Sequence, residues 1–292
     1  MFNATIIGMG RAGQARLRTL QSHPLIHQVQ TISVRHQEPK SILQNLQQRA
    51  EPQIPELFFI CTDNATHYLY AKAALELGAH VVVEFPLCNC VEQGLELFEL
   101  AKTQRVQLFC EGISLLSPEH QWRKNHLHDE AHTHLWQTLE ISFTGSLYRW
   151  IETEMHMGNF GQLAIGRLQS IINIFGNVNI ASVHKTQNPQ GYTMTIVMTL
   201  PKASQQSPNT QRIILTESRN FGAHRNTSWT LDGQPFPPAF KQQPSNLFQI
   251  DLENILASLQ EDKPYYLSST ECLKNLQLAE DINSQANDPQ NI

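Results

Sequence analysis

The chain carries little charge and no long apolar run. Of its 292 residues only 16% are Asp, Glu, Lys or Arg, and the net charge is −5. It has no long block of Lys and Arg, so the electrostatic footprint of a nucleic-acid binder is missing and nucleic acid is not an expected partner. No stretch approaches the roughly 20 consecutive apolar residues that a membrane-spanning helix needs. Cysteine is sparse, with five residues: Cys61, Cys88, Cys90, Cys110 and Cys272. The number is odd, and several lie in or beside apolar strand patterns. Free thiols in a reducing cytoplasm explain them better than a disulfide framework does. Cys88-Asn-Cys90 is not a C-x-x-C pair and suggests no redox role. The first residues already read as a strand, which leaves no room for a signal peptide, so the expected location is cytoplasmic. Internal repeats are also missing. Apolar residues nevertheless make up 40% of the chain, which at this length allows two domains with real cores.

What is present begins at once. Ile6-Ile7 runs into Gly8-Met9-Gly10-Arg11-Ala12-Gly13, a G-x-G-x-x-G pattern. A helical pattern follows, with Ala12, Ala15, Leu17 and Leu20 on its apolar side. Strand, glycine turn and helix in this order form a dinucleotide-binding fingerprint. Gly8 permits the turn, Gly10 lets a pyrophosphate approach the backbone, and Gly13 lets the helix pack against the strand. A glycine-rich turn in another α/β fold is the competing reading. A second strand pattern at 29–34 ends in Ser33-Val34-Arg35-His36, with no acid before Glu38. An acid there would hold the ribose 2′-hydroxyl of NAD, whereas Arg35 suits a 2′-phosphate. NADPH is therefore favoured, and NADH stays possible.

Buried-type strand patterns recur at 57–61, 81–83 and 106–110, separated by helical patterns up to Gly78 and over 91–103. This alternation indicates a doubly wound parallel sheet. Past residue 117 the texture changes. Strand-like runs at 138–145, 178–185, 192–200, 211–217 and 226–231 surround one helical pattern at 161–175. Pro, Gln and Ser enrich 201–210 and 234–245 as loops, and helical patterns at 246–260 and 269–285 close the chain. The expected architecture is an α/β chain: a Rossmann domain at 1–117, then an α+β domain at 118–292 with a mostly antiparallel open sheet.

Ile60-Cys-Thr-Asp-Asn-Ala-Thr-His67 and Gly78-Ala-His-Val-Val-Val-Glu84-Phe-Pro86 resemble the glucose–fructose oxidoreductase and inositol dehydrogenase superfamily. In that superfamily these segments end the cofactor strands, the second in Glu-Lys-Pro. Here Phe85 replaces the catalytic lysine, and Gly161–Gly176 lacks the Asp and His of the substrate helix. Oxidation of a sugar hydroxyl needs such a base, so it is a poor fit. The biliverdin reductase branch is the more similar one. The likeness runs through Gly8–Arg18, Ser33-Val-Arg35, Glu84-aromatic-Pro86, Glu111 with Leu115-Leu116, Arg167-Leu168 leading to Gly176, Arg225, and Asn246-Leu-Phe248. That branch usually has Tyr where this chain has Phe85, and Glu-Glu-His where it has Cys110-Glu111-Gly112.

The resemblance implies NADPH-dependent reduction of the central methine of biliverdin, a small-molecule bilin dianion. The implied cofactor residues are Gly8, Gly10, Arg11, Ala12, Gly13, Arg35, Thr62, His67 and Glu84. The implied substrate residues are Glu111, Arg149, Arg167 and Arg225, with Lys185 a further candidate cation, and the implied catalytic ones are Arg167, Glu84 and Phe85. His67 can equally serve the helix start, and Arg167 can equally be a paired core arginine. Two other functions stay open: another oxidoreductase of the superfamily, or a bilin- or nucleotide-binding protein without turnover. The oligomeric expectation is a monomer or small homo-oligomer. His126, His128, His132 and His134 cluster in a polar stretch, and solvated histidines explain them better than a metal site does. The four tryptophans, Trp122, Trp136, Trp150 and Trp229, read as core.

Overall fold

The computed structural model describes residues 1–35, 39–47, 54–128, 136–201, 211–237 and 246–288. His36, Glu38, His132 and His134 lie outside the described residues. In chain order the elements are β1 (Phe2–Ile7), α1 (Arg11–Gln21), β2 (Ile26–Ile32), α2 (Pro39–Gln47), β3 (Glu56–Ile60), α3 (Asn64–Glu76), β4 (His80–Val83), α4 (Val91–Gln104) and β5 (Leu108–Cys110). A short 3-10 turn (Ile113–Leu116) leads to α5 (Pro118–His128), β6 (Thr138–Ser146), α6 (Arg149–His156), α7 (Phe160–Phe175), β7 (Asn179–Asn188) and β8 (Gly191–Thr199). Then come β9 (Arg212–Asn220), β10 (Asn226–Leu231), β11 (Gln234–Pro235), α8 (Leu247–Glu261) and α9 (Ser269–Ala286).

The chain forms two compact units, one of Met1–Leu116 with Ser245–Leu276, the other of Ser117–Pro244 with Gln277–Ile292. The first break falls beside the expected boundary at 117. A single linear cut is nevertheless incomplete, because α8 packs with the first unit. The reason is its apolar stripe: Leu252, Ile255 and Leu256 share one core with Phe2, Ala4, Ile6, Leu57, Phe59 and Phe109. These residues recur at helical spacing on α8 and at alternate positions on the strands, so each element offers one face to the same interior.

The first unit holds a parallel five-stranded sheet in the order β2-β1-β3-β4-β5. Its central strands are buried on both faces, which accounts for the continuous apolar runs Leu57–Ile60 and Val81–Val83. The order reverses between β1 and β3, and ligands of such sheets bind beyond the strand ends at that switch point. The second unit holds an open six-stranded sheet in the order β11-β10-β6-β9-β8-β7. Pairing is antiparallel except for β6 with β9. Helix α7 lies on one face, where Phe160 meets the Tyr192 ring at 5.2 Å and Phe175 meets Trp136 at 5.9 Å. The opposite face is polar, with Thr193 hydrogen-bonded to Ser218 at 3.0 Å and Thr230 to Glu140 at 3.1 Å. Helices α2, α5 and α6 had no counterpart in the pattern reading.

Candidate active site

In the first unit the three glycines do different work. Gly8 follows β1 with a φ of +97°, and a Cβ there would lie 2.4 Å from the Cys61 carbonyl oxygen. A Cβ on Gly13 would lie 2.0 Å from the Gly8 carbonyl oxygen, so the helix start seats directly on the turn. Gly10 has nothing within 4 Å of a Cβ. It is the N-cap of α1, with no side-chain cap and no acidic residue in the first turn. Uncapped N–H groups facing open space make an anion site. A cleft of about 540 Å3 opens here, lined among others by Gly8, Gly10, Ser33, Arg35, Thr62 and Asp63. Arg11 and Arg35 are exposed, while Ala12 is half-buried and packs toward the core. The cradle and an exposed cation at the end of β2 fit a dinucleotide.

Two carboxylates, Glu84 and Glu111, lie behind the cleft residue Cys61. Glu84 follows β4 and accepts a hydrogen bond from Arg16 Nε at 3.1 Å. Cys61, which lines the cleft, sets its Sγ 3.9 Å from the same Glu84 oxygen. Burial raises the Glu84 carboxyl above its ordinary range, against the pull of Arg16. Burial likewise pushes the Cys61 thiol well up, which disqualifies it as a nucleophile. Glu111 has no exposed surface, and its Oε1 accepts from the Ile113 backbone N–H at 2.8 Å. The expected substrate role of Glu111 is therefore corrected: its carboxyl is turned into the protein, holding the 3-10 turn. Phe85 is the exposed neighbour of Glu84, with 38% of its surface open.

His67 is buried in α3. Its Nδ1 faces the Pro86 carbonyl oxygen at 2.7 Å and its Nε2 the Thr62 carbonyl oxygen at 3.0 Å. Desolvation lowers its proton affinity although both carbonyls oppose the shift. The ring ties the turn after β3 to the turn after β4. Thr62 also accepts from Thr66 Oγ1 at 2.9 Å, which fixes the start of α3.

In the second unit Arg167 on α7 meets Glu217 Oε2 at 2.7 Å, and Arg219 donates from Nε to Glu217 Oε1 at 2.8 Å. Glu217 and Arg219 alternate in phase with Ile213 and Leu215 on β9, so they point inward beneath α7. The Arg167 and Arg219 guanidiniums lie 4.2 and 4.4 Å from the Phe143 ring centre, and exposed Arg225 lies 5.9 Å from it. Arg167 is thus a paired arginine, yet 14% of its side chain stays open. Burial lowers its pKa despite Glu217. Lys185 lies apart from this group, over the Phe160 ring at 4.2 Å. Arg149 begins α6, and its side chain is outside the described ones. Trp136 and Trp229 are core residues, whereas Trp122 stacks on His126. Among the described residues no three His, Cys, Asp or Glu side chains group as metal ligands.

Residues 2–111 match the model of the Gfo/Idh/MocA oxidoreductase family, NAD-binding Rossmann fold. Over 233 residues the chain is 25% identical to biliverdin reductase A of Mus musculus, spanning 77% of this chain and 74% of that protein. It is 26% identical over 211 residues to the Homo sapiens biliverdin reductase A, spanning 70% and 69%. The structure of biliverdin reductase from Synechocystis sp. PCC 6803, in complex with biliverdin and NADP+, superposes with a TM-score of 0.75 at 19% identity. That match covers 97% of this chain and 98% of the other, and establishes a common fold.

Sequence reasoning missed Arg16, Asp251, Glu217 and Arg219. A signal existed for three of them. Arg16 lies four residues before Leu20, on the buried side of α1, and Glu217 and Arg219 keep the inward phase of β9. Charged residues at core positions are almost never left unpaired. Asp251, on the buried side of α8, gave no hint of its partner.

Proposed function

We propose that this oxidoreductase reduces biliverdin to bilirubin with NADPH. The observation that carries the reading is the group of Arg167 and Arg219 held on the Phe143 ring by one carboxylate, Glu217. Two guanidiniums against one carboxylate leave a net positive charge; the Phe143 ring is itself buried, but part of Arg167 is open and Arg225 is exposed. A dianion matches that excess of cations. The similarity to biliverdin reductases A supports the same substrate class.

Each residue has a role in this reading. Gly10 admits the pyrophosphate to the N-terminus of α1, on a turn that Gly8 and Gly13 shape, and Arg35 pairs with the 2′-phosphate that distinguishes NADPH. When bound, the reduced nicotinamide supplies the hydride for the central methine. Arg167 polarises the bilin and orders a proton-donating water. Its own strongly basic guanidinium is a poor proton reservoir. Arg225 attracts a propionate. Phe85 offers an apolar ring and no proton. Alcohol oxidation would need a base that Phe85 cannot supply.

A second reading is a bilin-binding protein without turnover, favoured by Phe85 where the branch usually has tyrosine. Purified protein mixed with NADPH and biliverdin separates the two. Biliverdin-dependent loss of NADPH, with loss of the long-wavelength bilin absorption, supports the reductase. Tight bilin binding with no NADPH consumption selects the binding protein. Neither binding nor turnover refutes both.

A further inference from the structure

A second buried charge cluster, in the first unit, surrounds Glu84, and its other members Arg16 and Asp251 have no role in the reading above. Arg16 spans two carboxylates. Its Nε donates to Glu84 at 3.1 Å, and its Nη1 donates to Asp251 on α8. The guanidinium sits 5.4 Å from the Phe59 ring centre and 4.8 Å from that of Phe248, which hold it in place. Asp251 Oδ1 accepts from the Tyr265 hydroxyl at 2.6 Å and the Tyr266 hydroxyl at 2.7 Å. Arg16 and Asp251 side chains are 1% and 0% exposed, whereas Glu84 is 15% exposed. The charged or titratable groups that bear on Glu84 are Arg16 from α1, Cys61 after β3, Asp251 from α8 and Glu111 after β5.

One cation thus serves several carboxyl groups in a desolvated site. Burial works against the charge on Arg16, but Asp251 and Glu84 outweigh it and keep the guanidinium charged. Arg16 is therefore not the group that gives way. Excess negative charge in such a place is relieved by keeping a proton on a carboxyl. Burial raises Glu84 and pushes Glu111 well above its ordinary range. Of the cluster's carboxyl groups, Glu84 is the one with open surface, beside a cleft residue.

We propose that Asp251 is a positioning residue for the cofactor cleft: by taking one edge of the Arg16 guanidinium it leaves Glu84 only partly neutralised and so sets the charge that Glu84 presents behind the cleft residue Cys61. The proposal deepens the nucleotide-site reading and does not need the bilin. Glu84 presents a neutral carboxyl on the acid side of its transition and a carboxylate on the alkaline side. Removing the Asp251 charge removes a repulsion, so the transition moves to lower pH.

The test follows glutamate carboxyl carbons by 13C NMR across pH in the full chain, with the Glu84 signal identified by its loss in Glu84→Gln. In the native protein the Glu84 midpoint is expected above the ordinary value of about 4.3. Asp251→Asn keeps an oxygen that accepts from Arg16 and is expected to lower the midpoint. Asp251→Glu returns it toward the native value. A folded Asp251→Asn protein with an unmoved Glu84 midpoint overturns the proposal. So does a native midpoint at the ordinary value, a result that needs no variant to fold. Where biliverdin is turned over, the acid limb of kcat shifts with the NMR midpoint while KM for NADPH stays within about twofold; a limb that stays put also overturns it. Absence of turnover refutes the bilin reading and leaves the NMR titration to decide this one.

Discussion

Gly10→Val should abolish NADPH binding without unfolding the protein, and Gly13→Ala should do nearly the reverse. The contrast comes from the surroundings of each glycine. A Cβ on Gly10 meets nothing within 4 Å, and the residue's φ of −73° is open to any L-amino acid. Its substitution should change stability by no more than about 1 kcal/mol, because a replacement at a compatible φ costs the folded state little. The branched side chain would instead fill the space in front of the α1 N-terminus where a pyrophosphate needs to reach the backbone. Losing two charge-assisted contacts there, each worth roughly 1.5 kcal/mol or more, lowers affinity at least about a hundredfold. On Gly13 a Cβ would stand 2.0 Å from the Gly8 carbonyl oxygen, a backbone atom that cannot swing away. Overpacking of this kind costs about 1–3 kcal/mol, a fall in Tm of several degrees for a unit of this size. Titration of NADPH fluorescence and a thermal melt on the same two proteins read both quantities. A Gly10→Val protein that binds NADPH like the native one places the nucleotide elsewhere. A Gly13→Ala protein with native Tm would mean that the turn and helix are not in the contact described.

Arg35→Asp should erase most of a tenfold to hundredfold preference for NADPH over NADH, the worth of one charge-assisted contact of roughly 1.5–3 kcal/mol; equal native affinities for both nucleotides would sink the idea. Arg167→Ala should cut bilin affinity or turnover by the same tenfold to hundredfold while NADPH affinity barely changes. Glu217 keeps Arg219 as a partner in that variant, so the protein should fold, and native turnover in it would remove Arg167 from the mechanism. Phe85→Tyr should alter the rate by less than about a factor of ten, or ~1.4 kcal/mol, since a ring that is 38% exposed accepts a hydroxyl without repacking. A large gain from a near-silent native protein would favour the binding-protein reading instead.

The nucleotide-binding half was legible because its chemistry is local. Gly8, Gly10 and Gly13 act through backbone conformation and close approach within one strand–turn–helix, and the strand runs at 57–61 and 81–83 announce burial on both faces by composition. The open sheet of the second unit was legible for a similar reason: alternation along β6, β8 and β9 reports one covered face. The place of α8 was not legible. Its apolar stripe says that it packs, but not on which core, and the 128 residues 117–244 separate its segment from the rest of the unit it joins.

Side chains whose role depends on a partner were the ones short-range spacing could not place. The resemblance implied Glu111 as a substrate ligand, and the fold turns it inward onto the Ile113 N–H. Arg167 allowed a free cation or a paired one. Glu217, 50 residues further on, makes it a paired one with part of its surface still open. The sequence by itself determined the dinucleotide turn, the two kinds of sheet and the absence of a catalytic lysine beside Glu84, because each is written in residue type and short-range spacing. Only the tertiary structure decided which charges meet: Arg16 with Glu84 and Asp251, and Arg167 with Glu217 and Arg219. A buried charge must find a counter-charge to repay its lost hydration, and where along the chain that partner lies is fixed by how the elements pack.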